Sequence, residues 1–213
     1  MRNRAAPIAL AGSTLGDARH VCAFFGSDEE EYRVLLPFMK DGFDHGHRAV
    51  HVVSPGARDD HLRRLAEAGI DTAAAEERGQ LELRSSTDTY LPGGRFDQER
   101  MLAVFEELAG GGGGFPLSRI VCRMDWAAEG RVVVEDVIEF EARVNHLWCR
   151  HDDAVICTYR VGQLGGDALV DIMRTHPVVI VGGILQRNPF FLPPEQFLPE
   201  LRARRAARRA DHP

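Results

Sequence analysis

The chain has 213 residues, of which 44% are apolar and 27% charged, and its net charge is −6. That length suits one large domain burying roughly 70% of its unfolded surface, and the acidic balance supplies no basic field to draw in nucleic acid or anionic lipid. No apolar run approaches the about 18 residues that a membrane-spanning helix needs, so a soluble, cytoplasmic protein without a membrane partner is expected. The four cysteines form no CxxC pair, and Cys22, Cys122 and Cys157 lie in apolar runs, where a thiol behaves as a small buried hydrophobe. Lys40 is the only lysine, and its MKDG context is not the GK[ST] of a phosphate loop.

In chain order, residues 1–19 open with a stretch over 1–12 that carries two arginines and a weak Ala-containing run interrupted by Pro7. They read as a flexible N-terminal tail rather than a leader. The strand expected at 20–25, HVCAFF, alternates so that His20, Cys22 and Phe24 share a face, and Phe25 is a candidate aromatic contact. It exits into GSDEEE, where Ser27 or Asp28 can cap a helix over 29–45 and the acids suit its N-terminal end. A phosphate-binding turn would offer N–H groups and a lysine here, whereas this one offers carboxylates that repel phosphate. Glu30 either reaches into a pocket at the strand's C-terminal end or only helps to start the helix.

Further strands are expected at 48–54, 80–84, 119–124, 154–160 and 178–182, alternating with helices near 57–68, 97–109, 133–148 and 166–174. Strands spaced by helices predict an α/β fold with a mostly parallel central sheet covered on both faces. The five glycines at 110–114 precede a strand instead of opening a helix, so they read as a linker. The strand at 119–124 ends in Asp125-Trp126, where open parallel sheets bind ligands, although core packing of Trp126 is the simpler alternative.

The helix over 133–148 is the most informative element. Helical spacing puts Glu141 and Asn145 on its apolar stripe with Val134, Val137, Ile138, Val144 and Trp148, while Glu139 and Arg143 form an i,i+4 pair toward solvent. Buried polar groups need partners, so Glu141 and Asn145 either tie the helix to the sheet or line a ligand cavity. His176-Pro177 precedes the last strand and Asn188-Pro follows it; His176 is a candidate ligand or a hydrogen-bonded structural histidine. Zinc held by His20, Cys22 and His176 is chemically conceivable, but H-x-C within one strand is not a chelating pattern, and no metal or other cofactor is expected. No cysteine sits in a nucleophile elbow. Residues 199–213, with five arginines among alanines after position 200, read as a helical, solvated tail.

HVCAFFGSDEEE, PFMKDGFDHGHRAVHVV, GQLELRSSTDTYLPGGRFDQERML, SRIVCRMDWA, IEFEARVN, VICTYRV and THPVVIVGGILQRNPFFLPP together resemble, in order and over residues 20–198, the MEDS family of prokaryotic sensory domains. The resemblance implies a RecA/KaiC-like fold that has lost its phosphate loop, and a role in sensing small organic molecules such as hydrocarbon derivatives. Family positions facing the pocket would map onto His20, Cys22, Glu30, Asp125, Trp126, Glu141, Asn145, His176 and Asn188, with Asp125 standing where the family would carry a glutamate. The expectation is therefore a non-enzymatic sensor that binds a small organic ligand. It would signal to a separate partner, such as a sensor kinase or a transcription or sigma-factor regulator, because no kinase or helix-turn-helix region follows residue 198; self-association is left open. The alternative is a degenerate RecA/KaiC-type nucleotide-binding protein or enzyme.

Overall fold

The computed structural model describes residues 7–110 and 112–211. The first six residues of the expected N-terminal tail, Gly111 of the glycine run and the last two residues of the C-terminal tail lie outside the described residues. The elements are β1 (Ile8–Leu10), β2 (Ser13–Leu15), β3 (His20–Phe25), α1 (Asp28–Asp44), β4 (Arg48–Val53), α2 (Arg58–Glu67), α3 (Thr72–Glu77) and β5 (Leu81–Ser85). Then come α4 (Ser86–Tyr90), α5 (Gln98–Leu108), β6 (Ser118–Arg123), a 3-10 turn at Asp125–Ala128, α6 (Val134–Trp148) and β7 (Ala154–Arg160). The chain closes with α7 (Gly166–Arg174), β8 (Val178–Val181), β9 (Ile184–Arg187) and α8 (Pro194–Asp211).

Seven strands form one sheet in the order β5-β4-β6-β7-β3-β8-β9, parallel except for the antiparallel edge strand β9. The continuous apolar runs become the central strands because both of their faces are covered. On one face Leu35, Phe38 and Met39 of α1 and Leu65 of α2 pack on Val21, Ala23 and Phe25. On the other, Phe105 of α5, Phe140 and Val144 of α6, Ile172 of α7 and Phe197 of α8 pack on Cys22, Cys122 and Cys157. Each fully buried Leu or Phe contributes about 1.5–3 kcal/mol against leaving it in water.

Three features differ from the sequence-based expectation. Residues 8–15 form a hairpin whose Ile8, Leu10 and Leu15 are at most 2% exposed, so this part of the chain is docked rather than flexible. Gly182 and Gly183, at φ 58° and 75°, make the tight turn that sends β9 back along β8; such paired left-handed positions favour glycine and match the twist of a hairpin. The Arg/Ala-rich end is the second half of α8, docked through Phe197 and Leu201. Its Arg202, Arg205 and Arg208 face Glu139, Asp136 and Glu135 of α6, so the acidic partner of this segment lies within the chain. Glu139 is thereby drawn away from Arg143, which pairs with Glu99 of α5 instead.

Two buried cations, Arg119 and Arg123, tie α1 to the sheet, Arg123 through Glu31. Arg119 crosses beneath the helix to Asp41 and the Phe38 carbonyl, so close that a Cβ on Gly42 would sit 2.7 Å from its Cδ. Glycine is required there for space, not for backbone freedom. Nearby, a buried chain links Tyr32 Oη to His61 Nδ1 at 2.6 Å and His61 Nε2 to His51 Nδ1 at 2.9 Å. Burial, then the Arg123 charge, lowers the His61 pKa to about 4, and burial with His61 alongside takes His51 well below its usual value.

Because these folded values lie below the unfolded value of about 6.5, the neutral pair adds stability that is complete above about pH 6.5. That stability is lost as pH falls toward the His61 value of about 4. His61→Gln should therefore flatten the decline of the urea midpoint between about pH 6.5 and 5, where one proton is worth up to about 1.4 kcal/mol per pH unit. An unchanged slope would mean that the imidazole is not held neutral.

Candidate functional site

Helix α6 lies on the sheet face that carries every second side chain of β3 and β7, and its one buried acid is aimed at that face. Glu141 is 0% exposed. Its Oε1 accepts a hydrogen bond from Tyr159, and its Oε2 faces His20 Nε2 at 3.2 Å, His176 Nε2 at 3.4 Å and Cys157 Sγ at 3.6 Å. Period-two alternation brings Cys157 and Tyr159 of β7 onto this face together. Parallel register sets Cys157 directly between Cys22 on β3 and Cys122 on β6, so three thiols form a row across the sheet.

The outer ring of this cluster is fixed by backbone. Asn145 Nδ2 donates to the carbonyls of Glu141, Ala142 and Thr175, which turns its Oδ1 toward His20 Nδ1 at 3.1 Å. His176 Nδ1 lies 2.8 Å from the Ile172 carbonyl. Its ring is fully buried, and its Nε2 has no aligned hydrogen-bond partner. Burial alone would raise the Glu141 pKa, but the adjoining imidazoles of His176 and His20 hold the carboxyl well below the usual carboxylate range. Burial would also lower His176, yet Cys22 and Glu141 more than offset it and push the imidazole up to about 10. His20, buried and beside His176, is lowered. Burial next to Glu141 pushes the Cys157 thiol and the Tyr159 phenol well up, so both stay protonated as donors.

The expected residues divide into two places. His20, Cys22, Glu141, Asn145 and His176 gather in this cluster, toward the N-terminal ends of β3 and β8. Phe25 points to the opposite face of the sheet, among the residues under α1. Glu30, Asp125 and Trp126 belong to the C-terminal ends of the strands. Glu30 does not enter a pocket: its Oε2 bends back to accept from Gly26 N–H at 2.7 Å, while Ser27 Oγ caps the helix through Glu30 N–H. Trp126 is core, stacked on Tyr90 at 4.5 Å with only 1% exposure. Asp125 accepts a hydrogen bond from Ser54 at 3.4 Å. Asn188 lies apart from Glu141 and bridges the Met173 and His176 carbonyls, fixing the segment that carries His176.

At the C-terminal edge, where the sequence suggested a bare group of acids, Arg123 of β6 and Arg160 of β7 pair with Asp28 and Glu31. Burial raises the Glu31 pKa and Arg123 opposes that. These arginines, and Cys157 and Tyr159, are the site residues that sequence reasoning did not single out. The available signal was the i, i+2 spacing within VICTYR, which puts Cys157 and Tyr159 on one face.

A groove of about 360 Å³ opens beside the cluster. His20 and Asn145 form its polar floor, Trp148, Pro177, Phe191 and Pro194 supply apolar walls, and Asp17, Arg19, His146 and Glu195 add charged or polar edges. Cys149, exposed at the end of α6, stands on its rim. Among the described residues no helix is long and apolar enough to cross a membrane.

Residues 19–177 match the family model described as MEDS, the methanogen/methylotroph, DcmR sensory domain. The transcriptional repressor DcmR of Methylorubrum extorquens (strain DSM 6343 / CIP 106787 / DM4) is 25% identical over 176 residues, which cover 81% of this chain and 63% of the repressor. The chain thus spans less than two thirds of that relative. Among solved structures, the KaiC-like protein PH0186 from Pyrococcus horikoshii OT3 superposes with a TM-score of 0.56 at 16% identity, covering 80% of this chain and 73% of its own. The flagellar accessory protein FlaH from Methanocaldococcus jannaschii gives 0.54 at 13% identity, with 79% and 75% covered. At such identities these two establish a shared RecA-like fold and nothing more.

Removing Glu141 tests how much the cluster matters to the fold. Glu141→Leu strands two imidazoles, a thiol and a phenol without their common acceptor and should cost about 3–5 kcal/mol in urea unfolding. Glu141→Gln, which still accepts from Tyr159, should cost clearly less. Equal losses would place the effect in helix packing instead of the polar cluster.

Proposed function

The chain belongs to the MEDS family of sensory domains, and from that premise we propose that it is a cytoplasmic, non-enzymatic sensor that binds a small organic molecule in the groove beside His20 and Asn145. The observation that carries this reading is the meeting of an apolar groove wall with a polar floor that leads to the buried cluster. Apolar walls with a few convergent polar groups are the usual makeup of a small-molecule site. The groove volume of about 360 Å³ suits a short hydrocarbon derivative bearing one polar group. Its wall at Pro194 is the first residue of α8, so a bound molecule would press on a helix whose outer surface a regulatory protein can read.

The fold's ancestry favours a nucleotide as the second reading. Against it stands the turn after β3, where a phosphate would need the Gly26 N–H that Glu30 already engages. Phosphate recognition at such a turn depends on open backbone donors and, usually, a lysine; Lys40 instead pairs with Asp44 on the far part of α1.

Thermal unfolding with a panel of short-chain alcohols, aldehydes and organic halides should yield compounds that raise the melting temperature. Cys149→Trp, which narrows the rim without entering the core, should abolish that rise while leaving the unliganded protein folded. A rise that survives Cys149→Trp would move the site elsewhere, and no rise with any compound would remove the reading. Calorimetric titration with ATP and magnesium should register no heat; micromolar binding would favour the nucleotide reading.

A further inference from the structure

His20 and His176 each span two acceptors. His20 lies between Asn145 Oδ1 and Glu141 Oε2, and His176 between the Ile172 carbonyl and that same Glu141 oxygen. The outer acceptors are not free to change role: one is a carbonyl, the Thr175 hydroxyl 3.0 Å from His176 Nδ1 gives its hydrogen to that same carbonyl, and the Asn145 amide is oriented by its donations to three other carbonyls. Both Nδ1 atoms therefore carry hydrogen, and both Nε2 lone pairs converge on a carboxylate oxygen. Protons alone leave the site crowded: with His176 a cation against Glu141, the bare His20 Nε2 finds only the Cys157 thiol, at 3.8 Å. The His176 Nε2 without an aligned partner is the visible sign of the shortfall.

A dication resolves it. The four inward atoms, His20 Nε2, His176 Nε2, Glu141 Oε2 and Cys157 Sγ, all lie within 4.8 Å of one another. Four of their separations are 3.2, 3.4, 3.6 and 3.8 Å. Ligands at zinc distances of about 2.0–2.3 Å, subtending tetrahedral angles, stand roughly 3.3–3.8 Å apart. We propose that His20, Glu141, Cys157 and His176 form a mononuclear transition-metal site of the zinc type, closed by four protein ligands. This inference does not rest on the small-molecule reading.

The surroundings fit that assignment. Each imidazole donates its outer N–H to an oxygen, the arrangement that orients metal-bound histidines. Tyr159 occupies the carboxylate oxygen that the metal would not use. On binding, the Cys157 thiol loses its proton to solvent, and thiolate plus carboxylate balance the two charges of the ion. Ligands of nitrogen, oxygen and sulfur in a closed tetrahedron favour zinc over magnesium or calcium. The ion would join β3, β7, α6 and the lead-in to β8 at one point. Cys157, rather than the Cys22 of the same row, supplies the sulfur.

The test uses the full-length protein purified from zinc-supplemented cells, its metal content read by mass spectrometry, followed by chelator stripping and titration with Co²⁺. The expected result is about one equivalent of bound metal per chain. Cobalt should give the visible bands of a four-coordinate site and a near-ultraviolet sulfur-to-metal band. Cys157→Ser should remove the sulfur band, and Cys22→Ser should keep it. His20→Gln, as a second ligand variant, should lower metal content to below about a tenth of an equivalent while circular dichroism shows a folded chain. Absence of metal and of cobalt bands in the folded wild type would overturn the proposal. So would a sulfur band that survives Cys157→Ser or depends on Cys22. Should Cys157→Ser not fold, the His20→Gln result alone decides.

Discussion

Glu141 holds its charge under a parallel sheet with no exposure to solvent, and the groups around it are set to offset the loss of hydration. An isolated carboxylate in such a place would cost several kcal/mol. Here Tyr159 and Cys157 come from β7, His20 from β3, and His176 from the segment leading into β8, so one side chain gathers three neighbouring strands onto α6. The order β7-β3-β8 in the middle of the sheet is what makes that convergence available. Residues 137 positions apart, His20 and Cys157, meet because their strands are hydrogen-bonded in register.

The polar groups of the molecule collect in two places, at the C-terminal edge of the strands and beneath the sheet toward the N-terminal ends of β3 and β8. At the C-terminal edge, acids and arginines pair with one another, with Arg160 Nη1 left over, and Glu30 folds onto the backbone donor that an anion would otherwise meet. Beneath the sheet, by contrast, the polar atoms are concentrated around a single oxygen with an apolar groove at their side.

The central strands, the major helices and the inward aim of Glu141 and Asn145 were legible because each follows from a strong local period, two for a strand and 3.6 for a helix. Cys157 and Tyr159 were not singled out, since AVICTYR is apolar on both faces and only inter-strand register reveals which face meets α6. Phe25 failed to join the cluster for the same reason in reverse: it is one residue out of phase with His20 and Cys22. The hairpin at residues 8–15 escaped because three-residue strands carry almost no periodic signal. Glu139 and Arg143 show local spacing overruled by tertiary neighbours, as each found a partner on another helix.

The seating of α8 on α6 has two components of different physical kind. Phe197 and Leu201 hold it by excluding water, while Arg202, Arg205 and Arg208 grip Glu139, Asp136 and Glu135 across partly open surface. Surface pairs of this sort weaken as mobile ions shorten the screening length, from about 10 Å at 0.1 M to about 3 Å at 1 M. The later turns of α8 are thus held by a salt-tunable clasp, whereas its first turns add the water-excluding contact of Phe197 to the pairs of Glu195 with His146 and Glu200 with Arg174. The grip of the second half of α8 on α6 is therefore firmest in dilute electrolyte.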